Sequence, residues 1–171
     1  MILETERLRL LPLASEDAQK LFPIMSDAEV MAHWDVPEID DPELLQVIVD
    51  GQVTAAKAGR AHHWTIRDLT SDRLIGACDL SDIDRWHKRG EVGFVLGRGA
   101  WGQGYAGEAV AAVVAHAVTL GLRRLTARTH LGNRRSDAVL EKLGFHEEGL
   151  LRGHILRDGE RRDVRVFGLL L

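Results

Sequence analysis

The sequence predicts an α/β fold in which helices flank a mostly antiparallel sheet, and three features predict it. Residues 62–69, 73–83 and 90–97 are β-rich stretches separated by short polar turns such as Thr70-Ser71-Asp72, the pattern of an antiparallel meander. Residues 104–120 are rich in Ala and Val, with Val110, Val113, Val114, Ala117 and Val118 covering a broad face of one helix. The tail carries Asp158-Gly159, a pair suited to a two-residue hairpin turn.

The remaining elements follow in chain order. Leu8, Leu10 and Pro12 alternate with Arg7, Arg9 and Leu11, so residues 6–13 form a first strand, and Ser15-Glu16-Asp17 caps the helix after it. Ser26-Asp27-Ala28-Glu29 has the S-x-x-E spacing of a capping box and opens a short helix to about Trp34. Asp41-Pro42-Glu43 puts an acceptor at a cap and proline in the first turn, and Leu44, Leu45, Ile48 and Ala56 continue at helical spacing to Gly59. After the meander and the central helix, Gly121 stands where a left-handed C-terminal residue is needed. Residues 125–130 form a further strand, and residues 133–143 a helix ended by Gly144.

Composition bounds the function. A chain of 171 residues suits a single domain over residues 1–171, and 45% hydrophobic with 28% charged residues is an ordinary globular balance. The net charge of −4 gives no field for holding a nucleic-acid backbone, so no nucleic-acid partner is expected, and Arg161, Arg162 and Arg165 are read as a solvated strand face. The single cysteine, Cys78, allows no internal disulfide and no thiolate set for zinc. The eight histidines show no H-E-x-x-H spacing, and His62-His63 point to opposite faces of a strand, so no metal is expected. The start lacks a signal segment and no apolar run has membrane length, which predicts a cytoplasmic protein with no membrane partner.

The most informative stretch runs Gly97-Arg98-Gly99-Ala100-Trp101-Gly102-Gln103-Gly104-Tyr105-Ala106-Gly107-Glu108-Ala109, between a strand and a helix. Free N–H groups and the positive dipole end of that helix make an anion site, and glycines let backbone approach phosphate oxygens. Gly102, Gly104 and Gly107 also spell G-x-G-x-x-G, but a dinucleotide fold needs this loop after the first strand of a parallel unit and an acidic residue about 20 positions on. Ala127, Arg128 and Thr129 stand there instead, and no Gly-Lys-Ser or Gly-Lys-Thr of a P-loop follows.

Taken in order, several segments resemble the GNAT superfamily of N-acetyltransferases, in particular the RimJ/RimL type that acetylates protein N-termini. Thr5-Glu6-Arg7-Leu8-Arg9-Leu10 is similar to its opening strand and Trp101-Gly102-Gln103-Gly104-Tyr105-Ala106 to its pyrophosphate loop. Asn133-Arg134-Arg135-Ser136 through Glu141-Lys142-Leu143-Gly144-Phe145 resembles its acceptor-side helix, and Glu148-Gly149, Leu151-Arg152 and Asp163 its closing hairpin. Trp101 stands where the superfamily more often has Gln or Arg, which removes one side-chain contact to phosphate. The resemblance implies a mixed, mostly antiparallel, splayed central sheet flanked by helices, opening between the strands at 91–96 and 125–130. It implies acetyl-CoA as co-substrate, held by the loop from Trp101 to Gly107 (Gln103, Gly104, Tyr105 and Ala106 included) and by Asn133. The pantetheine arm would pair with free backbone groups of Phe94, Val95 and Leu96, one of whose N–H groups would polarise the thioester carbonyl.

The implied acceptor is an amine, either a peptide N-terminus or a small molecule, attacked directly without an acyl-enzyme; a CoA-binding module without turnover is the reading from another class. Monomer and homodimer both remain open. Glu91 begins the strand before the loop and is the candidate base, against a solvated strand-end glutamate. The resemblance brings the Ser136 hydroxyl near the coenzyme sulfur as acid to the leaving thiolate, against a helix-capping role. Glu148 is an alternative base, against an ion pair with Arg152 or Arg162. His33-Trp34 would border the acceptor pocket by resemblance, against a core position.

Overall fold

The computed structural model describes residues 1–171. Eight strands form one sheet in the order β1-β2-β3-β4-β5-β6-β8-β7: β1 Leu3–Glu4, β2 Leu8–Pro12, β3 His62–Asp68, β4 Leu74–Asp84, β5 Arg89–Leu96, β6 Arg124–His130, β7 His146–Arg157 and β8 Glu160–Leu170. Every neighbouring pair is antiparallel except β5 and β6. The helices are α1 Ala18–Met25, α2 Ala28–Met31, α3 Pro42–Lys57, α4 Tyr105–Thr119 and α5 Arg134–Lys142, with 3-10 turns at Ser15–Asp17 and Arg98–Ala100. One face of the sheet, carrying Leu8, Ile66, Leu80, Leu125 and Phe167, packs on Val110, Val113 and Ala117 of α4 and Leu140 of α5. On the opposite face, Ala77 and Val95 pack against Ile24, Val30 and Met31 from α1 and α2.

Local chemistry explains the element ends. The Asp41 carboxylate accepts from Glu43 N–H at 2.8 Å, with Pro42 in the first turn of α3. Gly121 and Gly144 take φ values of 79° and 87° after α4 and α5, and Asp158 and Gly159 both have positive φ, as the tight β7–β8 turn requires. The capping box expected at Ser26 is corrected: Asp27 is the cap and accepts from Glu29 and Val30 N–H, while the Ser26 hydroxyl bonds back to Phe22 O. Aspartate one residue nearer the helix reaches the same donors without a reciprocal glutamate.

The basic patch is corrected in part. Arg165 pairs with the buried Asp137 at 2.5 Å, Arg161 donates to Gly153 O at 3.1 Å, and Arg162 donates to Ala32 O at 3.1 Å. These arginines tie β8 to α5, β7 and the exit of α2; Arg161 is exposed as expected, whereas Arg165 is committed to a buried carboxylate.

The parallel pair positions the site. β5 and β6 meet only at Arg89–Arg124, Gly90–Leu125 and Glu91–Thr126. Beyond Glu91, β5 keeps its ladder with β4 up to Leu96, and β6 keeps its ladder with β8 up to His130. Each strand holds its outer neighbour, so the two part and leave inner backbone edges facing a wedge-shaped gap.

Candidate active site

The gap opens into a cleft of about 1390 Å³ that passes from one face of the sheet to the other. Gly97 N–H bonds to Ile75 O at 2.9 Å, and strict alternation along this antiparallel ladder decides which β5 groups are free. Phe94 and Leu96 turn N–H and C=O toward the gap, while the N–H of Val92 is taken up in the last β5–β6 pairing, at Glu91–Thr126. Val95 turns both toward β4, opposite Ala77, so its expected place as a free backbone partner is corrected: the ladder consumes its groups. The Leu96 carbonyl is taken as well, by the Trp101 indole N–H at 2.8 Å, which leaves its N–H.

On the α4 side, Trp101, Gly102, Gly104, Tyr105, Ala106 and Gly107 line the cleft at the N-terminus of α4. Gly102 and Gly104 have φ of 73° and 80°, a conformation that leaves loop N–H groups exposed at little steric cost. No atom lies within 4 Å of where a Cβ would stand at Gly102 or Gly107, so the loop presents open backbone of the kind a pyrophosphate needs. The Gln103 side-chain amide donates to Gly99 O at 2.8 Å and its main-chain carbonyl accepts from Arg7 at 2.9 Å, so both shape the loop and what Gln103 can offer an anion is its backbone N–H.

Asn133 caps α5, its carbonyl oxygen accepting from Ser136 N–H at 3.3 Å. Its carboxamide oxygen therefore serves the helix rather than a coenzyme. Ser136, in the first turn, lines the cleft with a hydroxyl that makes no hydrogen bond within the protein, so the capping alternative for Ser136 is set aside.

The other end of the cleft lies on the α2 side, bordered by His33, Trp34 and Asp35 and floored by Asp79, Glu91, Arg128 and His130. Glu91 accepts from Arg128 Nε at 2.9 Å, bridging β5 and β6 where they part. Burial pushes the Glu91 carboxyl above its ordinary value, against the opposing pull of Arg128. Asp79 has no cation beside it, and burial pushes its carboxyl up to about 6. His130 is buried and bonds through Nε2 to Asp35 at 2.8 Å. Glu148 is away from the cleft, paired with Arg124 at 2.9 Å and not with Arg152 or Arg162.

Three contributors escaped the sequence reading. Glu108 on α4 accepts from Thr5 Oγ1 at 2.6 Å, Arg7 N–H at 2.8 Å and Arg7 Nε at 2.7 Å, while Arg7 also stacks on Tyr105. The guanidinium of Arg135 lies 4.2 Å from the Trp101 ring centroid, so a cation from α5 reaches the loop where Trp101 cannot supply one. Gly93 lies under Asp79. The Arg7–Glu108 pair, 101 residues apart, leaves no local signal, and although Arg7, Glu108 and Arg135 all stood in recognised segments, nothing in the sequence said what each would touch.

The acetyltransferase (GNAT) domain pattern matches residues 7–146. The chain belongs to the GNAT acetyltransferase family. The uncharacterized N-acetyltransferase p20 of Bacillus licheniformis is 35% identical over 98% of this chain and 95% of its own length. The ribosomal-protein-serine acetyltransferase of Escherichia coli is 28% identical over 72% of this chain and 68% of its own. In structure, the RimL ribosomal L7/L12 alpha-N-protein acetyltransferase in complex with coenzyme A superimposes with a TM-score of 0.91, covering 100% of this chain and 98% of that one at 20% identity. GNAT acetyltransferases draw the acetyl group from acetyl-CoA, and the splayed, mostly antiparallel sheet expected from the resemblance is the observed one. No helix of this acetyltransferase is long and apolar enough to cross a membrane.

Proposed function

We propose that this acetyltransferase, acting as one domain in the cytoplasm, transfers the acetyl group of acetyl-CoA to the α-amino group of a protein or peptide N-terminus. The observation that carries the reading is the gap between β5 and β6, with the open loop of α4 at one end and a chamber floored by Glu91 and Asp79 at the other. In this reading the pyrophosphate lies against Gly102, Gly104 and Gly107, with Arg135 beside it. The pantetheine arm runs through the gap along the Phe94 and Leu96 N–H groups. The Phe94 N–H faces the gap near its apex and is the donor that meets negative charge developing on the thioester oxygen.

An α-amino group with pKa near 8 is roughly a tenth neutral at pH 7, whereas a lysine side chain is neutral at well under a thousandth. A chamber whose help is limited to carboxylates suits the first better, and the ribosomal-protein acetyltransferases among the relatives support the same choice. The neutral amine attacks directly. Cys78 is buried in the core with its thiol pushed up by that burial, so it supplies no thiolate for an acyl-enzyme. Ser136 protonates the leaving sulfur, and the transfer as drawn needs no metal.

The test is incubation with acetyl-CoA and a mixed panel of N-terminal peptides and small amines, with products identified by mass. Acetylation at peptide α-amines is the expected result. Acetylation of small amines alone would move the acceptor class, and CoA binding without any transfer would leave a binding module.

A further inference from the structure

We propose that Asp79 takes the proton from the acceptor amine, while Glu91 acts as a positioning residue that holds Arg128 across the apex of the gap. The proposal rests on the acceptor being an amine, as argued above, and on the fate of the five carboxylates that line the cleft. Glu29 is paired with Arg98, Asp35 with His130, Glu91 with Arg128 and Glu108 with Arg7. Asp79 alone has no cation; its one side-chain partner is the neutral Ser81 hydroxyl, two residues on along β4.

Its placement has a second, independent mark. Asp79 on β4 stands opposite Gly93 on β5, and a Cβ at Gly93 would lie 2.5 Å from Asp79 Oδ1. The carboxylate therefore rests over the β5 backbone, leaning toward the gap just beyond the last β5–β6 pair. A glycine within a strand costs backbone entropy and a side chain's packing, and commonly marks such a close approach. Here the missing side chain makes room for Asp79.

The proton balance is simple. The ammonium gives its first proton to the Asp79 carboxylate, which later releases it to solvent. The neutral nitrogen attacks the thioester carbon, the C–N bond forms, the C–S bond breaks, and the second proton from nitrogen is matched by the one that ends on sulfur. A carboxyl lifted to about 6 is ionised at neutral pH and is a stronger proton acceptor than an ordinary one. The charges facing it are Asp82 on its own strand, Glu91 on β5 and Arg128 and His130 on β6. Across the cleft stand Glu29, His33 and Asp35 from α2 and its exit, and His154 from β7.

The experiment compares Asp79→Asn, Gly93→Ala and Glu91→Gln with the parent, as single-turnover pH–rate profiles on the best acceptor, beside calorimetric CoA binding. Asp79→Asn is expected to lower the rate by about 10²–10⁴-fold and to remove the acid limb near pH 6. Its CoA affinity should hold, and it should melt no lower than the parent at pH 8, because an amide escapes the cost of a buried charge. Gly93→Ala should lower the rate by displacing an intact Asp79. Glu91→Gln should lower the rate less than Asp79→Asn and keep the acid limb. An Asp79→Asn enzyme with parental rate and acid limb, or a limb abolished by Glu91→Gln instead, overturns this assignment alone. A parent that acetylates no amine overturns the acceptor reading beneath it.

Discussion

Ser136 and Asn133 stand three residues apart in the first turn of α5, and their chemistry separates cleanly. Asn133 satisfies the free Ser136 N–H, while the Ser136 hydroxyl bonds to nothing in the protein and faces the cleft. Asn133→Ala should therefore cost about 0.5–2 kcal/mol of stability. Ser136→Ala should leave the melting temperature near parental and lower turnover per folded molecule by about 10²-fold or more if the hydroxyl is the acid to the leaving thiolate. Calorimetry and single-turnover rates on both variants check this, and a Ser136→Ala enzyme of parental rate would assign that proton to water. Both residues were legible as a helix start, but which of the two capped was not. Ser and Asn cap about equally well in general, and only the fold decides which sits one step outside the helix. Glu148 shows the same limit, since the hairpin sequence offers Arg152 and Arg162 as partners and the sheet brings up Arg124.

Among elements, the N-terminus of α4 is fastened by the turn between β1 and β2, from the far end of the sequence. Thr5 and Arg7 converge on Glu108 in its first turn, and Arg7 also holds the Gln103 carbonyl. The carboxylate suits the positive end of the helix dipole, and its pairing with Arg7 keeps it from opposing an anion at the same terminus. Arg7→Ala should loosen the loop and weaken CoA binding several-fold while leaving the acceptor KM nearly unchanged, as titration calorimetry and initial rates would show. Burial disfavours the Glu108 charge, but the hydrogen bonds from Thr5 and Arg7 outweigh it and hold the carboxyl below its ordinary value. A carboxyl lowered by folding stabilises the fold above the unfolded-state value and loses that contribution as pH falls through the folded-state one. Glu108→Gln should accordingly flatten the loss of stability below about pH 4.5, the ordinary glutamate range, in melts run across pH 3–6. The helix itself was plain from its Ala and Val face and from Gly121. The brace was not, because Thr5 and Arg7 read as part of an opening strand until the fold sets the β1–β2 turn beside α4.

At the scale of the whole molecule, the meander, the central helix and the hairpin turn were readable from local pattern, whereas the splay was reached only through resemblance. Nothing in Glu91-Val92-Gly93-Phe94 or in Thr126-Ala127-Arg128 says that two strands part there. The parting comes from β4 and β8 each keeping its own partner in register. That origin makes a residue-resolved prediction, because the gap divides consecutive amides of β5 into two classes. Val95 N–H already belongs to the β4 ladder, while Phe94 and Leu96 N–H face the open gap. CoA binding stabilises the whole fold by mass action, about 2.7 kcal/mol at 100 times Kd, and slows any amide that exchanges through global unfolding by the same factor. A pantetheine arm in the gap adds protection only where it supplies a new acceptor. Hydrogen exchange read amide by amide should then show Phe94 and Leu96 gaining protection beyond that common factor, and Val95 gaining none beyond it. Equal gains at all three positions would mean that the arm does not pair with β5 and that the loop at α4 alone holds the coenzyme.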